Sequence, residues 1–244
     1  MIPLKDDIPS STFPYVNMAL ILANAAVFIY SLTLGQEFMA FLYRYGMVPI
    51  LFQAERFAGT YGAIETLPEW VLWRSLVTSL FLHGGWIHFL GNMLYLWIFG
   101  DNVEDRMGHG RYLIFYLLCG VGANVIHLLV EPMLAVPTVG ASGAIAGVLG
   151  AYFLLYPRAW VIGVVPVFFF LYTLRLPAFV FLLFWFLQQF LSGLAGRGAN
   201  VAWWAHIGGF VLGLVLVRLF QRPERRPPSR ETWWRDRYDP YGRG

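Results

Sequence analysis

The sequence predicts an all-α membrane protein, a bundle of six transmembrane helices with a membrane-associated first loop, and three observations carry that expectation. Of the 244 residues, 58% are hydrophobic and only 13% charged. The mean hydropathy is +0.59, which is more apolar surface than a soluble core of this size can cover. The apolar runs are long and continuous and do not alternate, which argues against a transmembrane β-barrel. Finally, small polar islands recur at the same end of every second run, where an idle polar group in a bilayer would be expensive.

The elements follow in order. Residues 1–16 form a short cytoplasmic N-terminus that lacks the basic region, apolar region and cleavage site of a secretory signal. The first span, near 17–34, therefore serves as its own insertion signal. Residues 35–85 scatter Glu37, Arg44, Glu55, Arg56, Glu65, Glu69 and Arg74 among aromatics and leucines. Such a stretch is too polar to span and too apolar for a free linker, so it reads as short amphipathic helices in the interface. Further spans are expected near 86–103, 112–130 and 139–157.

The run Val161 to Leu174 is short for a span. Parity also argues against one: with a single helix between Ser142 and His206 the two residues share a face of the membrane, whereas with two helices they do not. Residues 158–176 are accordingly read as a membrane-hugging loop. It leads into a fifth span at 177–194, where Pro177 is tolerated in the first turn, and a sixth at 201–220. Together 17–220 form one six-helix domain. The tail, 221–244, is Arg-rich with Pro223, Pro227 and Pro228 and no apolar periodicity, and it reads as disordered and cytoplasmic. It is either a topology determinant or a patch that adds about 1 kcal/mol of lipid attraction per basic residue near the surface. Six spans place both termini on the cytoplasmic side of a multi-pass protein, and a bacterial-type plasma membrane is the simplest location.

The polar islands are His88 with Asn92, Ser142 within Gly140-Ala141-Ser142-Gly143, and His206 within Ala205-His206-Ile207-Gly208-Gly209. A serine hydroxyl attacks an amide at neutral pH only when a neighbouring base takes its proton, and histidine is the usual base. Gly143 and Gly147 on one helix, with Gly209 and Gly213 on the other, have the spacing that lets two backbones approach closely. Ser142 and His206 could then come within hydrogen-bond range. His88 and Asn92 are four apart and share a helix face. With the backbone N–H of Ser142 they would supply three donors to a developing oxyanion. Taken singly, each of these groups has a plainer role, as a back-bonded serine or as a polar contact between helices.

Other chemistries find little support. No cluster has metal-ligand spacing and the HExxH pattern is absent, so neither metal nor cofactor is expected. Nucleic acid is not an expected partner. The single cysteine, Cys119, has no intramolecular partner for a disulfide, and the serine motif is not a GxSxG elbow. His127, with Asn124 and Glu131, reads as structural hydrogen bonding, and His109 as a solvated residue of a charged loop from Asp101 to Arg111.

His88-Phe-Leu-Gly-Asn92, Gly140-Ala-Ser142-Gly143 and Ala205-His206-Ile-Gly208-Gly209, in that order on alternate helices, resemble the rhomboid family of intramembrane serine proteases, and Trp73-Arg74 is similar to that family's Trp-Arg motif. The resemblance implies a Ser142/His206 dyad with no acidic third member, an oxyanion hole lined by His88, Asn92 and the Ser142 N–H, and a water-filled cavity open to the outer face. Implied substrates are transmembrane proteins of the lipid bilayer, cut in or next to a membrane helix that can unwind. The fifth helix, with Phe179, Phe181, Phe184, Trp185, Phe186 and Phe190, would be a side gate, or simply lipid-facing bulk. His83 matches a family position and would steady the first loop or the cavity mouth. Two alternatives are a catalytically silent rhomboid-like escort factor, disfavoured because both dyad residues are present, and a small transporter, for which neither paired charges nor a repeat is found.

Overall fold

A computed structural model of the chain describes residues 1–53, 68–167, 170–196 and 201–222. Strand β1 (Ile2–Asp6) is followed by helix α1 (Tyr15–Leu32) and two short helices, α2 (Phe38–Tyr45) and α3 (Glu69–Thr78). Then come α4 (Trp86–Met107), α5 (His109–Val130), α6 (Ser142–Leu155), a hairpin of β2 (Trp160–Val167) and β3 (Phe170–Pro177), α7 (Ala178–Leu194) and α8 (Trp203–Phe220). The protein is thus a helical membrane bundle with one small sheet. Helices α1, α5 and α8 are long and apolar enough to cross a bilayer, while α6 and α7 are shorter apolar helices.

Local chemistry sets the helix ends. Pro14 and Pro177 precede α1 and α7, where a missing N–H costs nothing in hydrogen bonding. Gly108, with φ +82°, is the only residue between α4 and α5; an L side chain would be strained there. The buried Glu104 of α4 accepts the backbone N–H groups of Val16 and Asn17 at 3.0 and 2.7 Å. It thereby caps α1 from a neighbouring helix and matches a negative charge to the positive end of the helix dipole.

Helix α6 is the centre of the bundle, with every residue from Gly143 to Tyr152 buried. Its partner α8 approaches backbone to backbone. A Cβ on Gly209 would collide with the Gly143 carbonyl oxygen, and one on Gly213 with the Gly147 carbonyl oxygen. With lipid on the outside, such close van der Waals fit is what drives helix association.

The described structure departs from the sequence reading in four places. Residues 158–176 are not an irregular loop. They form an antiparallel hairpin, with Trp160 opposite Pro177 and Val167 opposite Phe170, and β1 extends it to the order β1-β2-β3. The physical reason is the run of Val, Ile, Tyr and Thr, which favours extended backbone, in a segment too short to span as a helix. The N-terminus is accordingly structured. Asp6 accepts from Asn102 at 2.8 Å and from the Tyr152 hydroxyl, the Tyr95 hydroxyl donates to the Met1 carbonyl at 3.2 Å, and Asp7 accepts the Trp160 N–H at 2.7 Å.

The third departure is α6, which starts at Ser142 and not at 139, because Gly140 takes φ +124° and interrupts any helix there. Fourth, His109, whose side chain is 44% exposed as a solvated residue's would be, is not in a loop. It opens α5 and its Nδ1 lies 2.5 Å from the buried carboxylate of Glu104. In the first loop α2 and α3 are short helices with exposed Met39, Tyr43, Trp70 and Trp73. Glu55, Arg56 and Glu65, and the proline-containing tail from 223 on, lie outside the described residues.

Candidate active site

Ser142 is the first residue of α6, so its backbone N–H has no carbonyl one turn earlier to bond and points out of the helix end. Its Oγ lies 2.8 Å from His206 Nε2. His206 sits in the first turn of α8, and the Gly143–Gly209 contact brings the two turns this close. The second ring nitrogen, His206 Nδ1, lies 2.8 Å from Gln189 Oε1 of α7. The indoles of Trp185 and Trp203 flank the imidazole, with ring centroids at 6.0 and 6.2 Å.

His88 and Asn92 face the same spot from α4. A Cβ on Gly140 would stand 2.6 Å from His88 Nε2 and 3.5 Å from Asn92 Nδ2, so both nitrogens are directed at the backbone just before Ser142. The Gly84 N–H donates to His88 Nδ1 at 3.4 Å. A neutral imidazole that accepts at Nδ1 carries its hydrogen on Nε2, which makes His88 a donor toward the serine. Asn92 Nδ2 is buried and has no partner among the described residues. A buried N–H of that kind is incomplete without an acceptor.

These groups line one cavity of about 1060 Å³ that holds His88, Asn92, Ser142, Trp185, Gln189 and His206. A hydroxyl, the imidazole in contact with it, and N–H groups from a side-chain amide, a second imidazole and a helix N-terminus thus face a common space. Acyl transfer requires that set.

The remaining sequence candidates fall elsewhere. Phe184, expected at the cavity or gate, does not line the cavity. It is exposed and lies with Leu187, Gln188 and Leu191 on the outer side of α7, because 100° per residue turns it away from its neighbour Trp185. Phe181 is buried, 6.3 Å from the Phe99 ring of α4. His83 is buried against the rings of Phe28, Phe89 and His88, outside the cavity lining. Burial, with His88 adding, pushes it down to about 3, so it packs as a neutral ring. Asn124 donates to the Leu76 carbonyl and Ser79 Oγ at 2.9 Å, tying α5 to the end of α3. His127 has no partner for either nitrogen among the described residues, and lines a second cavity of about 330 Å³ with Glu131 and Thr138. Arg74, of the Trp-Arg pair, donates to the Arg44 carbonyl and stands over the rings of Tyr45 and Trp70 at 5.0 and 5.2 Å, so it braces the first loop. Sequence reasoning passed over Gln189. The available signal was an amide within an apolar helix, a position where polar groups are costly.

The fold and this cluster define a class: integral membrane proteins whose alternate helices converge a serine and a histidine at one end of the bundle. Comparison with known proteins agrees, since the family model described as Rhomboid domain matches residues 69–223. The chain belongs to the rhomboid family. It is 36% identical over 156 residues to Rhomboid-like protein 11, chloroplastic, of Arabidopsis thaliana, covering 62% of this chain and 53% of that protein. It is 28% identical over 223 residues to RHOMBOID-like protein 1 of the same plant, covering 85% of this chain and 54% of the relative. Over 88 residues it is 44% identical to Rhomboid protease GluP of Bacillus subtilis, covering 36% of this chain and 16% of that protein. The chain thus spans about half the length of the two plant relatives.

Proposed function

We propose that this protein is an intramembrane serine endopeptidase that hydrolyses peptide bonds in or next to the transmembrane helices of membrane-protein substrates. The observation that carries the reading is the 2.8 Å contact between Ser142 Oγ and His206 Nε2 inside a cavity shared with His88 and Asn92. Ser142 is the nucleophile. His206 takes its proton as the hydroxyl attacks, then returns it to the leaving amine. The tetrahedral oxyanion sits between the Ser142 N–H, His88 Nε2 and Asn92 Nδ2, donors that are preset and therefore need no reorganisation as charge develops.

The length of α6 supports action within the bilayer. Fourteen residues rise about 21 Å, against a hydrocarbon core of about 30 Å. With its other end at the surface, the helix starts at a depth of roughly 9 Å, where the cavity supplies water. The substrate strand must unwind locally to expose its carbonyl, because the helical ladder otherwise occupies it. Helix α7 is the side gate. The chain enters α1 and leaves α8 at the end opposite Ser142, where the Arg222 N–H donates to the Arg106 carbonyl at 3.0 Å. That end, with the start of α1 and the end of α8, is the cytoplasmic one.

The test is fluorophosphonate labelling of the purified protein with mapping of the modified residue, together with turnover of a fluorogenic transmembrane substrate. Ser142 is expected to carry the label, and Ser142→Ala to lose turnover while keeping its melting temperature. Cleavage by that variant at the wild-type rate refutes the assignment.

A further inference from the structure

The part of the site that remains is what faces the other side of His206. Gln189 is one of two adjacent glutamines in the largely apolar α7, and only 5% of it is exposed. A buried amide is tolerated when its hydrogen bonds are made, and here both ends are engaged. Its Nε2 donates to the Trp185 carbonyl, one turn back in the same helix, at 3.3 Å. That carbonyl can only accept, so the NH₂ end must be the one facing it. The orientation of the amide is thereby set, and Oε1 is the atom left facing His206 Nδ1 at 2.8 Å.

An amide oxygen has no hydrogen to give, so Nδ1 is the donor in that contact. A neutral imidazole with its hydrogen on Nδ1 bears its lone pair on Nε2, where Ser142 Oγ sits at 2.8 Å. The other tautomer would present an N–H to the hydroxyl and could not remove its proton. His88, in the same cavity, is set the opposite way: a backbone N–H, that of Gly84, donates to its Nδ1 and leaves the hydrogen on Nε2. One acceptor and one donor behind two histidines thus sort them into a base and a hydrogen-bond donor.

We propose that Gln189 is a positioning residue that locks His206 in the Nδ1–H tautomer with Nε2 turned to Ser142, making the site a Ser–His–Gln relay whose third member is carried by α7. The proposal rests on the reading of Ser142 and His206 as a catalytic pair. In the first step the Ser142 proton moves to Nε2 as the Oγ–carbon bond forms, and the Nδ1–H stays bonded to the amide oxygen. In the second step the C–N bond breaks as the Nε2 proton passes to the leaving nitrogen, leaving an acyl ester on Ser142; Nε2 then takes a proton from the water that attacks this ester and returns it to Ser142 Oγ as the acyl–oxygen bond breaks. A neutral amide does this orienting work without placing an ion in the membrane, where an unpaired carboxylate would be costly. Because Gln189 and Trp185 ride on one helix, the base is correctly set only while α7 is seated against α8.

The test uses the full chain in detergent, labelled with ¹⁵N-histidine, with a His206→Asn sample to assign the resonance. Wild-type His206 is expected as the Nδ1–H tautomer, and in Gln189→Leu it is expected to lose that preference. Gln189→Leu should also lower kcat about ten-fold or more, as for loss of a buried hydrogen bond, with KM for the transmembrane substrate held within about two-fold. Gln189→Glu restores an acceptor. Its turnover should recover at high pH, with the acidic limb of the pH–rate profile moved upward because a carboxylate favours the imidazolium. An Nε2–H tautomer in the wild type, an unchanged tautomer or kcat in Gln189→Leu, or an unmoved acidic limb in Gln189→Glu overturns the proposal. If Gln189→Leu does not fold, the profile of Gln189→Glu decides. If the wild type shows the Nδ1–H tautomer yet neither cleaves nor labels at Ser142, the protease reading fails while the tautomer assignment stands.

Discussion

Replacing Gly140 by alanine tests whether His88 and Asn92 hold their donors at the place where an oxyanion forms. Two effects combine at this position. The backbone takes φ +124°, a conformation that is strained for an L residue by about 1–3 kcal/mol. The new methyl would also stand 2.6 Å from His88 Nε2, where ordinary contact is about 3.5 Å. The imidazole must therefore withdraw by about 0.9 Å, a displacement of the size that lowers a rate by roughly 10²-fold. Full loss of one oxyanion donor lowers it by about 10² to 10³, so Gly140→Ala is expected to reduce kcat by about 10²-fold and to lower stability by a few kcal/mol at most. The assay is initial-rate turnover of a fluorogenic transmembrane substrate at saturation, run beside thermal unfolding. Gly110→Ala is the control: nothing lies within 4 Å of a Cβ there, and the change should leave kcat intact and stabilise slightly. A folded Gly140→Ala protein with wild-type kcat would refute the claim that His88 Nε2 is held against the serine loop for catalysis.

Three further outcomes are expected. Asn92→Ala should lower kcat by the roughly 2 to 4 kcal/mol of an oxyanion donor with KM unchanged, and an effect confined to KM in the same assay would assign it to binding. Gly209→Ala places a methyl against the Gly143 carbonyl, so α6 and α8 must separate; a loss of about 1–3 kcal/mol in denaturant unfolding is expected, and none at all would mean the contact is loose. Burial, with the charges of Asp101 and Asp7 adding and the Tyr152 hydrogen bond opposing, raises Asp6 from 3.8 to about 6. The folded state thus holds that proton more tightly than the unfolded chain. This contribution is fully present below about pH 4 and lost as pH rises through about 6. The melting temperature of Asp6→Asn should lack that segment of the pH dependence, and superimposable wild-type and variant profiles would exclude it.

The candidate site was legible to different depths. Ser142, His206, His88 and Asn92 could be named because each is a polar group in an apolar run, and because the intervals between them keep them at one end of the bundle. Gln189 satisfies the same criterion, yet its neighbour Gln188 does too. Only the direction of each side chain around α7 separates the amide bonded to His206 from the one facing outward beside Phe184. Residues 158–176 were legible as too short to cross, but their pairing partner, β1, is more than 150 residues away in sequence. Its register depends on Asp6 and Asp7 being held by Asn102, Tyr152 and Trp160.

By itself the sequence determined that this is a helical membrane protein, since hydropathy and run length are properties of consecutive residues and the bilayer demands internally satisfied backbone. It also determined the inventory of reactive groups and the glycines that let helices touch. Tertiary structure alone decided where α6 begins, which residue stands behind His206, which of its nitrogens faces Ser142 and which Gln189, and that the N-terminal residues close a sheet. Those outcomes depend on atoms from distant segments meeting within about 3 Å, and no periodicity along one segment encodes the direction from which a partner arrives.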